Sequence, residues 1–388
     1  MKLKKLSLIM CIVFLLSAFS ACSDSKENEQ PTQWSKYNPS GFTVYKDGVF
    51  FTDKNNVLHY FDASSKENVI LCDKKDCQHS DSSCHGYVGS SFQYSISGGK
   101  IYRILSDDIY STLQESDIDY TNHREIAALG KELAENGDYV FPSNFRVSGD
   151  YLYYSAEVSN FDNGDSYYGI YGINIKNGKT TVIIDRKKNS SDLGIVSVCG
   201  KEIIYYTTYL DEALSNELYG QNQEEIDWEV FSEKFKEYEE QRTYSTYKYN
   251  METGETTAFY EERAAAIPVF ANEDYLYGYT FTVDDNLNFV PDKYFTIDQK
   301  TQEEKNINKD EFDKNQRGFS ESEADAITGG SEDLNIYCMV DSGYIGIRTD
   351  KKEITGENSY TITGQSYVFI DKSDPQSEPF VFYTWEEQ

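Results

Sequence analysis

Histidine, proline and methionine are scarce in this chain: 4, 7 and 4 of 388 residues. Four histidines leave few imidazoles for general-base chemistry. No G-x-S-x-G elbow, H-E-x-x-H pair or P-loop glycine pattern occurs. On that ground the chain reads as a non-enzyme. C-x-x-C-H is absent too, which excludes c-type haem attachment. Positive charge is short as well: 36 Lys and Arg stand against 66 Asp and Glu, a net charge of -30. Such a surface repels phosphate backbones and anionic headgroups, so nucleic acid is excluded as a partner. Long blocks of one charge are missing, so most of the chain is free to fold. The apolar run "LIMCIVFLLSAF" (residues 8–19) is too short to span a bilayer by itself.

That run has another reading. Lys2, Lys4 and Lys5 precede it and polar sequence follows it, the order of a secretion signal. It ends in "FSAC" and continues "SDSKENEQPTQ", which resembles a bacterial lipobox, with Phe19 where Leu is usual. The resemblance implies cleavage after residue 21 and lipidation of Cys22, with residues 22–40 as a flexible tether on the outer face of the membrane. Lipid rather than charge then holds the protein there. Cys11 lies in the part removed.

Aromatic residues are plentiful, with 33 Tyr and 22 Phe, and they favour pleated strands. A polar turn followed by an aromatic strand recurs: "KDGVFFTDK", "SGGKIYRIL", "SGDYLYYSA", "CGKEIIYYTT", "NEDYLYGYTF" and "SEDLNIYCMV". The first four copies start about 51 residues apart, the spacing of a propeller or an array. Within a copy the pattern gives four short strands, as in "FTVY", "GVFFTD", "NVLHYFD" and "NVILCD". "INIKNGKTTVII" reads as a hairpin, with Asn177 and Gly178 as its positive-φ residues. The expected fold is therefore an all-β, six-bladed β-propeller over residues 41–388, with blades near 41–90, 91–142, 143–193, 194–263, 264–326 and 327–388. One helical insertion is expected at about 211–242. There Trp228, Phe231, Phe235 and Tyr238 recur at helical spacing, which suits a cap on the propeller or a partner-binding helix. Residues 122–137 give mixed signals: a helical composition at a place where the repeat calls for a strand.

The stretch "LCDKKDCQHSDSSC" holds the densest chemistry. Cys72, Cys77, His79 and Cys84 supply three thiols and an imidazole, a set that closes a tetrahedral shell around one structural zinc ion. An extended backbone would put Cys77 and His79 on the same side. Outside the cell, neighbouring cysteines also pair, and a disulfide between two of the three stands beside the metal reading. His85 follows Cys84 and is a substitute ligand. Cys199 and Cys338 sit in apolar strands and read as small buried hydrophobes; His59 and His123 read as structural. "DDNLN" (284–288) starts like a calcium loop, lacks its glycine and closing Glu, and reads as a turn.

The lipobox, the opening "DGVFFTD…LHYFD…VILC" and the segment "CDKKDCQHSDSSCHGY" together resemble a group of bacterial surface lipoproteins. Their propeller is similar to that of low-density-lipoprotein-receptor-related proteins. In that group a C-x4-C-x-H-x4-C stretch follows the first blade, and here Cys72, Cys77, His79 and Cys84 fill it. The resemblance covers the first quarter well and the later blades as a strand pattern. It implies an anchored binding or scaffold protein, with a surface ligand or an envelope protein as partner, and no activity. The alternative is a hydrolase or lyase that acts on glycan or peptide with carboxylates in the central channel. A structural subunit of an envelope complex, docked by the helical insertion, is a third reading.

Overall fold

The computed structural model describes residues 41–80, 83–88, 94–106, 111–129, 138–160, 165–188, 193–209, 228–356 and 359–386. The signal segment, Cys22 and the tether lie outside them. The fold is a β-propeller of six antiparallel four-stranded sheets. Blade one holds β1 (Thr43–Val44), β2 (Gly48–Thr52), β3 (Leu58–Asp62) and β4 (Glu67–Ile70). Blade two holds β5 (Tyr94–Ser97), β6 (Lys100–Ser106), β7 (Ser111–Asp117) and β8 (Arg124–Leu129). Blade three holds β9 (Asp138–Ser148), β10 (Tyr151–Asn160), β11 (Asp165–Asn174) and β12 (Lys179–Lys188). Blade four holds β13 (Leu193–Cys199), β14 (Glu202–Tyr209), β15 (Thr243–Asn250) and β16 (Thr256–Ala264). Blade five holds β17 (Ala266–Ala271), β18 (Tyr275–Val283), β19 (Phe289–Asp298) and β20 (Glu304–Ile307). Blade six holds β21 (Leu334–Met339), β22 (Gly343–Gly356), β23 (Ser359–Asp371) and β24 (Phe380–Glu386). In the described part of the mixed segment the repeat prevails, since Arg124–Leu129 is the fourth strand of blade two; 130–137 lie outside the described residues.

A turn device recurs between the third and fourth strands. An Asp or Asn side chain accepts from backbone N–H groups two or three residues on: Asp62 from Ser64 and Ser65, Asn174 from Lys176, Asn250 from Glu252 and Thr253, Asp298 from Lys300 and Thr301. Four residues after each lies a left-handed residue: Lys66, Gly178, Gly254 and Gln302, at φ 58°, 68°, 71° and 63°. The Asx side chain mimics a turn, and the left-handed residue sends the chain back antiparallel. In the "KNGK" turn Gly178 alone has positive φ; Asn177 does not. A Cβ at Gly178 would meet nothing within 4 Å, so Gly178→Ala costs backbone strain only, about 1 kcal/mol. At Gln302 a side chain already bears that strain, and Gln302→Gly is expected to stabilise by about 0.5 kcal/mol. Urea unfolding of both variants measures the two signs.

The blades pack through aromatic and aliphatic faces. Tyr102, Ile104 and Leu113 of blade two meet Val147, Leu152 and Tyr154 of blade three. Tyr153 and Ile170 of blade three meet Val198 and Ile203 of blade four. First strands of successive blades contact each other, β5 with β9, β9 with β13 and β13 with β17, the relation of strands nearest the ring axis. Serine hydroxyls stitch these strands. Ser95 accepts from Val147 N–H (3.3 Å), Ser148 from Gly200 N–H (2.8 Å) and Ser197 from Ala271 N–H (3.0 Å).

Among the described residues every blade comes from one contiguous segment, and no strand from one end completes a sheet at the other. Among the described residues the ring closes through contacts that each involve a side chain. Phe42, Val49, Phe51 and Phe61 of blade one share a buried cluster with Val340, Ile345, Phe369 and Phe382 of blade six.

Helix α1 (Trp228–Gln241) sits inside the insertion read from the sequence, and the rest of 211–227 lies outside the described residues. Part of its apolar face packs on its own propeller: Tyr238 is buried and Phe235 lies against Phe281 and Val283 of blade five, while Trp228 is exposed. The expectation of one helical insertion is corrected. Between blades five and six lie α2 (Lys309–Arg317) and α3 (Glu321–Thr328). Asn308 caps α2, and Ser320 with Glu323 forms a capping box on α3. Gly318 and Gly329 end them in left-handed conformation. Phe312 of α2 packs in a buried cluster with Phe270 and Tyr277 of blade five.

Candidate metal centre

The cysteine stretch leaves the end of β4 and returns to the start of β3. Leu71 N–H donates to Leu58 O (2.9 Å), and Leu58 N–H donates to Gly86 O (2.8 Å). Val88 N–H donates to Asn56 O (2.9 Å). Both feet of the loop are thus held by ladder bonds. A Cβ on Gly86 would fall 2.4 Å from Leu71 O, so only glycine permits this approach.

Between the feet the backbone coils. Asp76 and His79 are left-handed, at φ 59° and 53°, so the extended backbone expected at Cys77–His79 is not formed. The coil still gathers the four side chains. The ligand atoms of Cys72, Cys77, His79 and Cys84 all lie within 4.8 Å of one another. His79 Nδ1 is 3.4 Å from Cys84 Sγ. Cys72, Cys77 and Cys84 are unbridged thiols here. Burial raises the Cys72 thiol, but the N–H groups of Lys74, His85 and Gly86 and the Cys84 side chain outweigh it, and its pKa falls below the ordinary value. Burial pushes the Cys84 thiol up to about 12, against the Gly86 N–H and with the help of Cys72 and Cys77. Three sulfurs at this spacing repel one another as thiolates unless a cation sits among them. The donor set and its convergence fit a metal ion.

The loop is tied into the seam between blades one and two by Arg103, which is 9% exposed. Its guanidinium donates to His85 O (2.6 Å), Tyr87 O (3.1 Å), Gln114 Oε1 (3.0 Å) and the Tyr120 hydroxyl. Arg103→Ala strands two carbonyls and a hydroxyl, and a loss of about 2–3 kcal/mol is expected. Chemical denaturation measures it. Hydrogen exchange should show residues 84–88 losing protection first.

The remaining sequence candidates fall elsewhere. His85 is no member of the sulfur cluster; its Nδ1 lies 2.6 Å from Asp73 Oδ1. His59 is buried beside Phe51 and lies between Asn68 Oδ1 (3.1 Å) and Asp53 Oδ2 (3.5 Å), a structural setting. Cys338 is buried in the seam of blades one and six, and burial pushes its thiol up to about 12. Cys199 is half-buried, and burial raises its thiol. Asp284 accepts from the N–H groups of Asn286 and Asn288, so "DDNLN" is a turn. The six first strands carry two charged residues in all, Asp138 and Arg146. A carboxylate pair acting at the ring axis would therefore have to come from connecting loops.

No family model and no curated protein matches the chain. Solved structures similar to it include the β-propeller domain of the Trilobed protease from Pyrococcus furiosus, at 8% identity and TM-score 0.38, over 93% of this chain and 95% of that one. An oligogalacturonate lyase in complex with manganese is 10% identical, TM-score 0.34, over 92% and 74%. A prolyl endopeptidase is 12% identical, TM-score 0.45, over 92% of this chain and 51% of its own. The reading of the chain as a non-enzyme is corrected here. The three structures named are an enzyme's propeller domain and two enzymes, at 8–12% identity, and the absence of a linear motif does not exclude a catalytic site. Likeness at this level names no reaction for this chain.

Proposed function

We propose that this chain is an extracytoplasmic lipoprotein of the group it resembles, anchored through Cys22. In this reading its propeller carries one structural zinc ion and engages a surface ligand or an envelope protein. The observation that carries the zinc assignment is the convergence of Cys72, Cys77, His79 and Cys84 within 4.8 Å. Three thiolates and one imidazole close a tetrahedral shell, so the ion would brace the loop and leave no position for substrate. Support for the anchor is the order of lysines, apolar run, Cys22 and polar tether.

The test measures zinc and free thiols on one sample of chain purified without chelator or reductant. About one zinc per chain, lost in Cys72→Ser and in Cys84→Ser, is the expected result. No zinc, with two thiols fewer than in the reduced chain, would establish a disulfide loop instead. For the anchor, labelled palmitate should enter the wild-type chain, and Cys22→Ala should take up none and leave the membrane fraction. Ligand panels of polysaccharides and peptides are read for cleavage products as well as for binding, since turnover is open to the propeller.

A further inference from the structure

We propose a second metal site, formed by Asp73, His85 and His123, that takes a divalent first-row transition ion and keeps coordination positions open. Asp73 and His85 each follow a residue of the sulfur cluster, yet their side chains gather elsewhere. There they meet His123, which comes from the β7–β8 connection of blade two. The ligand atoms of the three residues lie within 4.8 Å of one another. Asp73 Oδ1 is 2.6 Å from His85 Nδ1, and Asp73 Oδ2 is 3.9 Å from His123 Nε2. The two imidazole rings stand 6.0 Å apart at 76°.

An ion-pair cluster does not account for this arrangement. His123 Nε2 is shielded from solvent, and at 3.9 Å from Asp73 Oδ2 it is too far for a hydrogen bond to that carboxylate. A buried imidazole nitrogen left unpaired is costly, and a metal ion on Nε2 would satisfy it. Arg103, the neighbouring cation, is engaged with His85 O, Tyr87 O, Gln114 and Tyr120 and is not paired with Asp73.

The chemistry of the site differs from that of the sulfur cluster. Two imidazoles and one carboxylate are harder donors than three thiolates, and three protein ligands do not fill the shell of a first-row ion. The side chains of His85 and Asp73 are 49% and 38% exposed, so the open positions face solvent. Water or an anionic oxygen of a ligand would take them.

Cobalt(II) titration of the full chain in detergent separates the two sites. Thiolate ligation gives intense charge-transfer bands in the near ultraviolet, and the nitrogen–oxygen site adds only weak visible absorption. The expected result is an equivalent with weak bands alone, lost in His123→Ala and in Asp73→Asn. His123 lies outside the cysteine loop, so His123→Ala should leave the thiolate bands intact. If the sulfur cluster takes no metal, a single weakly absorbing equivalent that vanishes in His123→Ala still upholds the second site. Absence of that equivalent from the wild-type chain, or its persistence in both variants, overturns the proposal.

Discussion

Phe61→Ala is expected to destabilise the chain by about 3–5 kcal/mol and to loosen blade one from blade six before any other seam opens. Phe61 is fully buried, and its ring stacks on Phe382 at 4.0 Å with an interplanar angle of 10°. Phe369 and Phe380 flank it at 5.9 and 6.2 Å. Among the described residues no shared sheet spans this seam, so no ladder of backbone hydrogen bonds joins blade one to blade six. Side chains join them instead. They include Asp47, whose carboxylate accepts from Ser342 N–H (2.9 Å) and Oγ (3.0 Å), and Asn68, which donates to Phe382 O (3.0 Å). A large cavity at Phe61 removes the apolar part of that closure, and collapse is limited because the neighbours belong to rigid strands. Urea unfolding gives the energy, and hydrogen exchange gives the place. Protection should fall first in β1–β4 and β21–β24. A loss under about 1 kcal/mol, or an even loss over all blades, would show that the ring does not depend on this seam.

The repeat was legible because each blade restates it locally. A polar turn followed by "GVFF", "YLYY" or "IIYY" marks the second strand of a blade without help from its neighbours. The third-to-fourth hairpin was partly legible. Gly178 and Gly254 announce a left-handed residue, whereas Lys66 and Gln302 adopt the same conformation with no sign in the sequence beyond the Asp four residues before. Helices α2 and α3 were overlooked although their caps are written in "NKDE", "RG", "SESE" and "TGG". Only Phe312 on α2 faces a core cluster, so hydrophobic periodicity was too weak there to announce a helix. The sulfur cluster could be read because its ligands are close in sequence. The partnership of His123 with Asp73 and His85 could not, since 50 and 38 residues and a blade boundary separate them and only the fold brings them together.

With zinc in the sulfur cluster as proposed, removal of the ion is expected to unlock the loop without melting the blades. A ligand that binds only the folded state adds about 4 kcal/mol when its free concentration is 1,000 times its Kd, and chelation withdraws that contribution. Its effect should stay local. Residues 71 and 86–88 are held to β3 and its turn by backbone hydrogen bonds, and Arg103 pins His85 and Tyr87 to blade two. Those bonds outlast the metal. Far-ultraviolet circular dichroism should therefore be unchanged by chelator at 25 °C, while the thermal midpoint falls and the thiols of Cys72 and Cys77 become reactive. Acid should act in the same direction. A metal binds thiolate and neutral imidazole, so protons compete with it and the ion is lost as pH falls. Cys84 gives the sharpest reading, because its buried thiol, pushed up to about 12, stays protonated near neutrality when no cation is present. Zinc uptake in a weakly buffered sample should thus release a proton from Cys84, and Cys84→Ser should take up zinc poorly and release fewer. Uptake without proton release would place the ion on other groups.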